Sequence, residues 1–140
     1  MVKGPIRHLV LDSEAASALL SSTPVSAKRA AVMTAIAAAN GRRVVPTAVR
    51  GESGWDRTDP GAANANRLVG ADDVLDRAGA NRAAQLRALV RGASVVDAAV
   101  AVAAERAGSG GGVVEVLTSD VTDIRDLSGH VHAAVDVVRL

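Results

Sequence analysis

The sequence contains no cysteine, no tyrosine and no phenylalanine, and a single tryptophan is the whole aromatic complement of its 140 residues. Without cysteine there is no disulfide, no thiolate zinc site and no thiol nucleophile. Without aromatic side chains there is almost nothing on which to stack an unpaired base, so work on nucleic acid has to rest on charge and metal. Lysine is scarce as well, Lys3 and Lys28 being the only two. Neither sign of charge dominates: 16 basic and 15 acidic side chains leave a formal +1, which argues neither for nor against a polyanionic partner. Apolar runs such as Ala98 to Ala104 fall far short of the roughly 20 residues that span a bilayer, so no membrane partner is expected. The start, Met1 to His8, enters Leu9-Val10-Leu11-Asp12 without the apolar region and cleavage site of a secretory signal, which makes the cytoplasm the expected location.

What is abundant is small and aliphatic. Hydrophobic residues make up 49% of the chain, and with so few aromatics the core has to be assembled from Ala, Val and Leu. Such side chains let helix and sheet approach closely while each contributes little burial. The length suits a single domain covering residues 1–140.

Along the chain, helical and strand-like segments alternate. Ile6 to Leu11 reads as a short buried strand, and Ser13 to Leu20 as a helix broken by Ser21-Ser22-Thr23-Pro24. Ser26 to Asn40 reads as a second helix, with Val32, Ala35, Ile36 and Ala39 inward, Lys28 and Arg29 on the solvent side and Gly41 as its stop. Arg42 to Val45 is a strand, after which Pro46 opens a helix carrying Val49, Glu52 and Trp55. Asp56 to Gly70 is a turn with a weak helix, and Asp72 to Leu75 a third strand. Asn81 to Val90 is amphipathic, with Ala83, Leu86, Leu89 and Val90 on its apolar face. Ser94 to Arg106 is apolar enough to be buried all round. The glycines from Gly108 to Gly112 enter a strand and lack the Gly-Lys-Ser/Thr of a phosphate loop, so they read as a flexible connector. Val113 to Leu117, Thr122 to Leu127 and Ala134 to Leu140 read as strand, helix and closing strand. This alternation predicts an α/β domain with a central, mainly parallel sheet of 4-5 short strands covered by helices on both faces.

In such sheets ligands bind at the carboxyl ends of the strands, near the point where strand order reverses. Asp12 immediately follows the first strand and Asp120 the strand ending Val116-Leu117-Thr118. Glu52 lies in the helix after the second strand, and Asp97 in the first turn of the apolar helix. Helix capping explains Asp12, Asp97 and Asp120 one at a time, and a solvated helix face explains Glu52. Capping accounts poorly for Asp97, because a helix as apolar as Ala98 to Ala104 brings its N-terminal acid inside the fold. Clustered carboxylates repel unless a cation balances them, and an all-oxygen ligand set selects a hard ion, Mg²⁺ or Mn²⁺.

These segments, Leu9-Val10-Leu11-Asp12-Ser13, Val45-Pro46-Thr47-Ala48-Val49-Arg50-Gly51-Glu52, Val95-Val96-Asp97-Ala98 and Leu117-Thr118-Ser119-Asp120-Val121-Thr122-Asp123, resemble in order and spacing the motifs of PIN-domain ribonucleases, many of them VapC-type toxins of toxin-antitoxin pairs. The resemblance covers Ile6 to Leu140. It implies a PIN-like fold and an acidic quartet of Asp12, Glu52, Asp97 and Asp120 that is both catalytic and metal-binding, with Asp123 as a further metal ligand. It also implies Mg²⁺- or Mn²⁺-dependent hydrolysis of single-stranded RNA, neutralisation by a cognate antitoxin, and a homodimer. Thr118 or Ser119 would then hydrogen-bond a ligand carboxylate or water, and Arg50, Arg57, Arg82 and Arg87 are candidates for contacts to RNA phosphates. The helix Ser26 to Asn40 either docks an antitoxin helix or packs on the sheet. Two other functions compete. One is a catalytically inactive PIN-like scaffold that binds RNA or a protein, suggested by Arg50-Gly51 beside Glu52. The other is a receiver-like signalling domain, which needs a late lysine where Lys28 is the last. Outside the acids, His130 and His132 lack a third ligand nearby and read as loop residues. Trp55 reads as a packing anchor in preference to a base-stacking platform.

Overall fold

A computed structural model describes residues 4–21 and 26–140, so the break read at Ser21 to Pro24 lies, except for Ser21, outside the described residues. Five strands form one sheet in the order β3-β2-β1-β4-β5, and every neighbouring pair is parallel. They are β1 (Arg7–Leu11), β2 (Arg43–Pro46), β3 (Ala71–Asp73), β4 (Val113–Thr118) and β5 (Ala134–Arg139). Seven α-helices lie among the described residues: α1 (Ser13–Leu20), α2 (Ala27–Ala38), α3 (Thr47–Ser53), α4 (Ala63–Leu68), α5 (Arg77–Leu89), α6 (Val95–Ala107) and α7 (Val121–Ser128). From β1 the chain builds outward through β2 to β3, then returns to place β4 on the other side of β1. The strand order therefore reverses between β1 and β4, directly below Asp12 and Asp120.

The core matches the composition. Leu9, Val10, Leu11, Val45, Val114 and Val116 of the sheet pack against Ala15, Ala16 and Leu19 of α1 and Val100, Ala103 and Ala104 of α6. From Asp97 to Ala104 every residue of α6 is buried, because it lies under α5 on one side and over the sheet on the other. Small side chains there permit that double contact, at the cost of little apolar area per residue.

Several boundaries differ from the sequence reading, each for a local reason. Helix α2 ends at Ala38, before Gly41, whose role is close approach: a Cβ there would stand 2.5 Å from His8 Nδ1 and 2.9 Å from the Arg7 carbonyl oxygen. Arg29 is half-buried, its Nη1 donating to the Ser21 carbonyl at 2.6 Å, while Lys28 is exposed and paired with Glu14. Trp55 falls beyond α3, because Gly54 ends that helix in the left-handed conformation at φ 72°. Helix α5 starts at Arg77, four residues earlier than read. Asp76 caps it, accepting from Gly79 N at 2.8 Å, and Gly79 resembles a breaker in sequence but leaves room for Arg106. Leu89 does not belong to the apolar face of α5; it is 60% exposed. The third strand is Ala71–Asp73, one residue upstream of its expected start, and the second runs Arg43–Pro46. The glycine connector has defined geometry: with His8 Nδ1 accepting from Arg42 N, Nε2 is left to donate to the Gly111 carbonyl, each at 2.9 Å.

Candidate functional site

The site begins with Thr118, the last residue of β4 and completely buried. Its Oγ1 donates to Asp12 Oδ2 at 2.5 Å and accepts from Asp120 N at 2.9 Å. One hydroxyl thus joins the ends of β1 and β4 at the reversal point, as the reading of Thr118 anticipated. Ser119 is exposed at the lip. Asp12 caps α1, its Oδ1 accepting from Ser13 N at 2.7 Å. Capping and a place in the site are therefore not alternatives for this residue. Burial pushes its carboxyl above the ordinary range against the pull of the Thr118 and Ser13 hydrogen bonds, and the charges of Glu52 and Asp120 push the same way.

Asp97 sits in the first turn of α6, where its N–H donates to Ser94 Oγ at 3.0 Å. Its side chain is buried among like charges. Desolvation first, then a hydrogen bond with Asp120 and the charges of Asp12, Asp120 and Asp123, push its carboxyl up to about 7. Asp120 occupies the N-cap position of α7 but makes no side-chain capping bond; its carboxylate engages Asp97 in the cleft instead. Asp123, in the first turn of α7, is raised chiefly by the charge of Asp120. Asp97, Asp120 and Asp123 each present an oxygen within 4.8 Å of the other two, a grouping that can hold a metal ion. All three donors are carboxylate oxygens, which suits a hard divalent cation.

Asp12 and Glu52 stand outside that three-oxygen group. Both line the same cleft of about 360 Å³, together with Ser13, Glu14, Ser94 and Gly92. Glu52 is exposed on α3, and its charge is felt at Asp12. The five acids read from the sequence therefore share one cleft, three of them close enough to share an ion. Ser13 was not singled out by sequence reasoning: its Oγ is buried without a hydrogen-bond partner beside Asp12, and adjacency to Asp12 is its one sequence signal.

The arginines read as phosphate contacts are engaged elsewhere. Arg50 and Arg57 both pair with Asp72, at 3.0 and 2.7 Å. Arg82 pairs with Glu105 at 2.9 Å and donates to the His130 carbonyl, and Arg87 donates to the Ala93 carbonyl. They hold the fold together. Trp55 is a packing anchor, 2% exposed, with Nε1 donating to Asn66 Oδ1 and the Arg57 guanidinium 4.8 Å from its ring centre. His130 and His132 lie in the loop between α7 and β5, where His132 N donates to Glu105 Oε2.

No protein-family model matches the sequence, and no curated protein matches it. Among solved structures the chain resembles one in FitAB bound to an IR36 DNA fragment, with a TM-score of 0.58 over 92% of this chain and 94% of that one, at 15% sequence identity. At that identity the likeness establishes a shared fold, and the fold is PIN-like.

Proposed function

We propose that the chain is a divalent-metal-dependent ribonuclease that cleaves phosphodiesters of single-stranded RNA and acts as the toxin of a VapC-type toxin-antitoxin module. The observation that carries this reading is the grouping of Asp97, Asp120 and Asp123, whose carboxylate oxygens lie within 4.8 Å of one another. Those oxygens gather in a cleft whose lining includes no lysine or arginine, and burial first, then the charges of Asp120, Asp12 and Asp123, pushes the Asp97 carboxyl up to about 7. Such a cluster is unfavourable as it stands and becomes favourable around a cation. Asp97, Asp120 and Asp123 would hold Mg²⁺ or Mn²⁺, with Asp12, just past the end of β1, and Glu52 of α3 completing the catalytic set. A bound ion supplies Lewis acidity for hydrolysis of a phosphodiester and needs no side-chain nucleophile. Thr118 keeps Asp12 aimed into the cleft, Ser94 fixes the turn that presents Asp97, and the buried backs of α6 and β4 exclude water from behind the acids. The likeness to a chain of FitAB on DNA supports work alongside a partner protein, here the cognate antitoxin. A soluble homodimer in the cytoplasm accompanies this reading, and no helix among the described residues is long and apolar enough to cross a membrane.

The position of Glu52, exposed and outside the three-oxygen group, favours a second reading, an inactive PIN-like scaffold that binds RNA or protein. Titration calorimetry with Mn²⁺ separates the two. The nuclease reading expects saturable binding that Asp97→Asn removes, whereas equal heats from the wild-type chain and the variant would reject it.

A further inference from the structure

A cleft lined by acids repels the polyanion it is proposed to cleave, and one divalent ion balances only part of that charge. The cations that draw the strand in must therefore stand close by without being consumed by the fold. Among the described residues most basic side chains are consumed, in ion pairs with Asp72, Glu105, Asp73, Asp76, Glu14 and Glu115 or in bonds to backbone carbonyls. The exposed arginines with neither an ion pair nor a side-chain hydrogen bond are Arg42, Arg77, Arg91, Arg125 and Arg139. Arg42 precedes β2, at the amino ends of the strands, opposite the acids. Arg77 starts α5 beside Asp76, which binds Arg106 at the end of α6 away from Asp97. Arg125 lines a separate cavity of about 410 Å³ between α7 and β5.

The remaining two adjoin residues of the site, one in sequence and one in strand register, on different elements. Arg91 lies in the turn joining α5 to α6, next to Gly92, which lines the cleft at φ 83°. The turn is fastened by Arg87, whose Nε donates to the Ala93 carbonyl at 2.9 Å, so Arg91 is presented on a fixed backbone. Arg139 ends β5 at the carboxyl edge of the sheet, in register with Thr118, the residue that ties Asp12 to Asp120.

We propose that Arg91 and Arg139 are substrate-binding residues that take up phosphates of a single-stranded RNA on two borders of the acidic cleft. This rests on the ribonuclease reading above for the identity of the substrate. Because neither side chain has an internal partner, each is available for phosphate without breaking a contact of the fold. The bound strand runs from the α5–α6 turn across the acids to the end of β5.

The test uses the full chain, the Arg91→Ala/Arg139→Ala protein and, as a control of equal net charge, the Arg42→Ala/Arg77→Ala protein. Binding of a fluorescein-labelled single-stranded RNA oligonucleotide is followed by anisotropy over a salt series with Mn²⁺ present, and cleavage is measured in parallel. The expected result is a loss of about tenfold or more in affinity, a salt slope shallower by about 0.7 per arginine, and a raised KM with kcat within about twofold, none of it seen in the control. Wild-type affinity and slope in the Arg91→Ala/Arg139→Ala protein, or an equal loss in the control, would overturn the proposal, as would a wild-type chain that binds no RNA. A wild-type chain that binds RNA through these arginines without cleaving it would overturn the ribonuclease reading and leave this assignment standing.

Discussion

At the scale of single residues, Thr118 and Asp97 decide whether the cleft can work. Thr118→Val keeps the shape of the side chain and removes the hydroxyl, leaving the buried Asp12 Oδ2 and Asp120 N without their partner. The expected cost is about 1–3 kcal/mol of stability in denaturant melts, the penalty for orphaned buried polar groups, together with weaker Mn²⁺ binding. For Asp97 the sign follows from burial among like charges. Its folded carboxyl, at about 7, lies above the unfolded value of 3.8, so its contribution to stability is fully present below that value and is lost as pH rises through 7. In chelator, Asp97→Asn should therefore stabilise the protein at pH 8 by about 2 kcal/mol, allowing for screening by cleft water, with the difference vanishing near pH 4. Calorimetric melting temperatures at the two pH values check this, and a variant less stable than wild type at pH 8 would contradict it. The same proton competes with metal, so Mn²⁺ affinity should fall as pH drops below 7.

At the scale of elements, α6 is where the small-residue core matters most. Ala103 is 1% exposed where the helix meets the sheet, so Ala103→Leu has no room and should cost about 1–3 kcal/mol by overpacking, readable as a lower denaturation midpoint with an unchanged slope. Gly41→Ala should be destabilising in the same measurement, because its Cβ would collide with the ring of His8 and the backbone of Arg7. Elements carrying a clear hydrophobic period were legible in the sequence: β1, α2, α6, β4 and α7 appear within a few residues of their expected bounds. The errors fall where a long-range contact overrides the local signal. Gly79 is a helix breaker by propensity, yet it lies inside α5 because Arg106 needs the space. Leu89 has the right spacing for the core, but α5 ends there and leaves it in solvent. The acids Asp12, Asp97 and Asp120 could be placed because strand ends and an apolar helix mark them. The ion pairs that consume Arg50, Arg57 and Arg82 could not, since Asp72 and Glu105 lie 22, 15 and 23 positions away and meet them only through the fold.

At the scale of the whole molecule, a nearly neutral chain divides its charge by place. The acids gather at the reversal point between β1 and β4, Arg50, Arg57 and Arg106 tie outer elements to the edge strand β3 while Arg82 joins α5 to α6, and a few unpaired arginines remain at the surface. If the cleft takes a cation as proposed, saturating Mn²⁺ should raise the melting temperature of the wild-type chain and leave that of Asp97→Asn unchanged. The most direct test of the account is cleavage of a labelled single-stranded RNA by the purified full chain, with Mn²⁺ and then with excess chelator, beside Asp12→Asn and Asp97→Asn proteins prepared identically. The expected result is cleavage by the wild-type chain in Mn²⁺, none in chelator, and a loss of at least about a hundredfold in each variant. Undiminished cleavage in chelator, or by either variant, would contradict it.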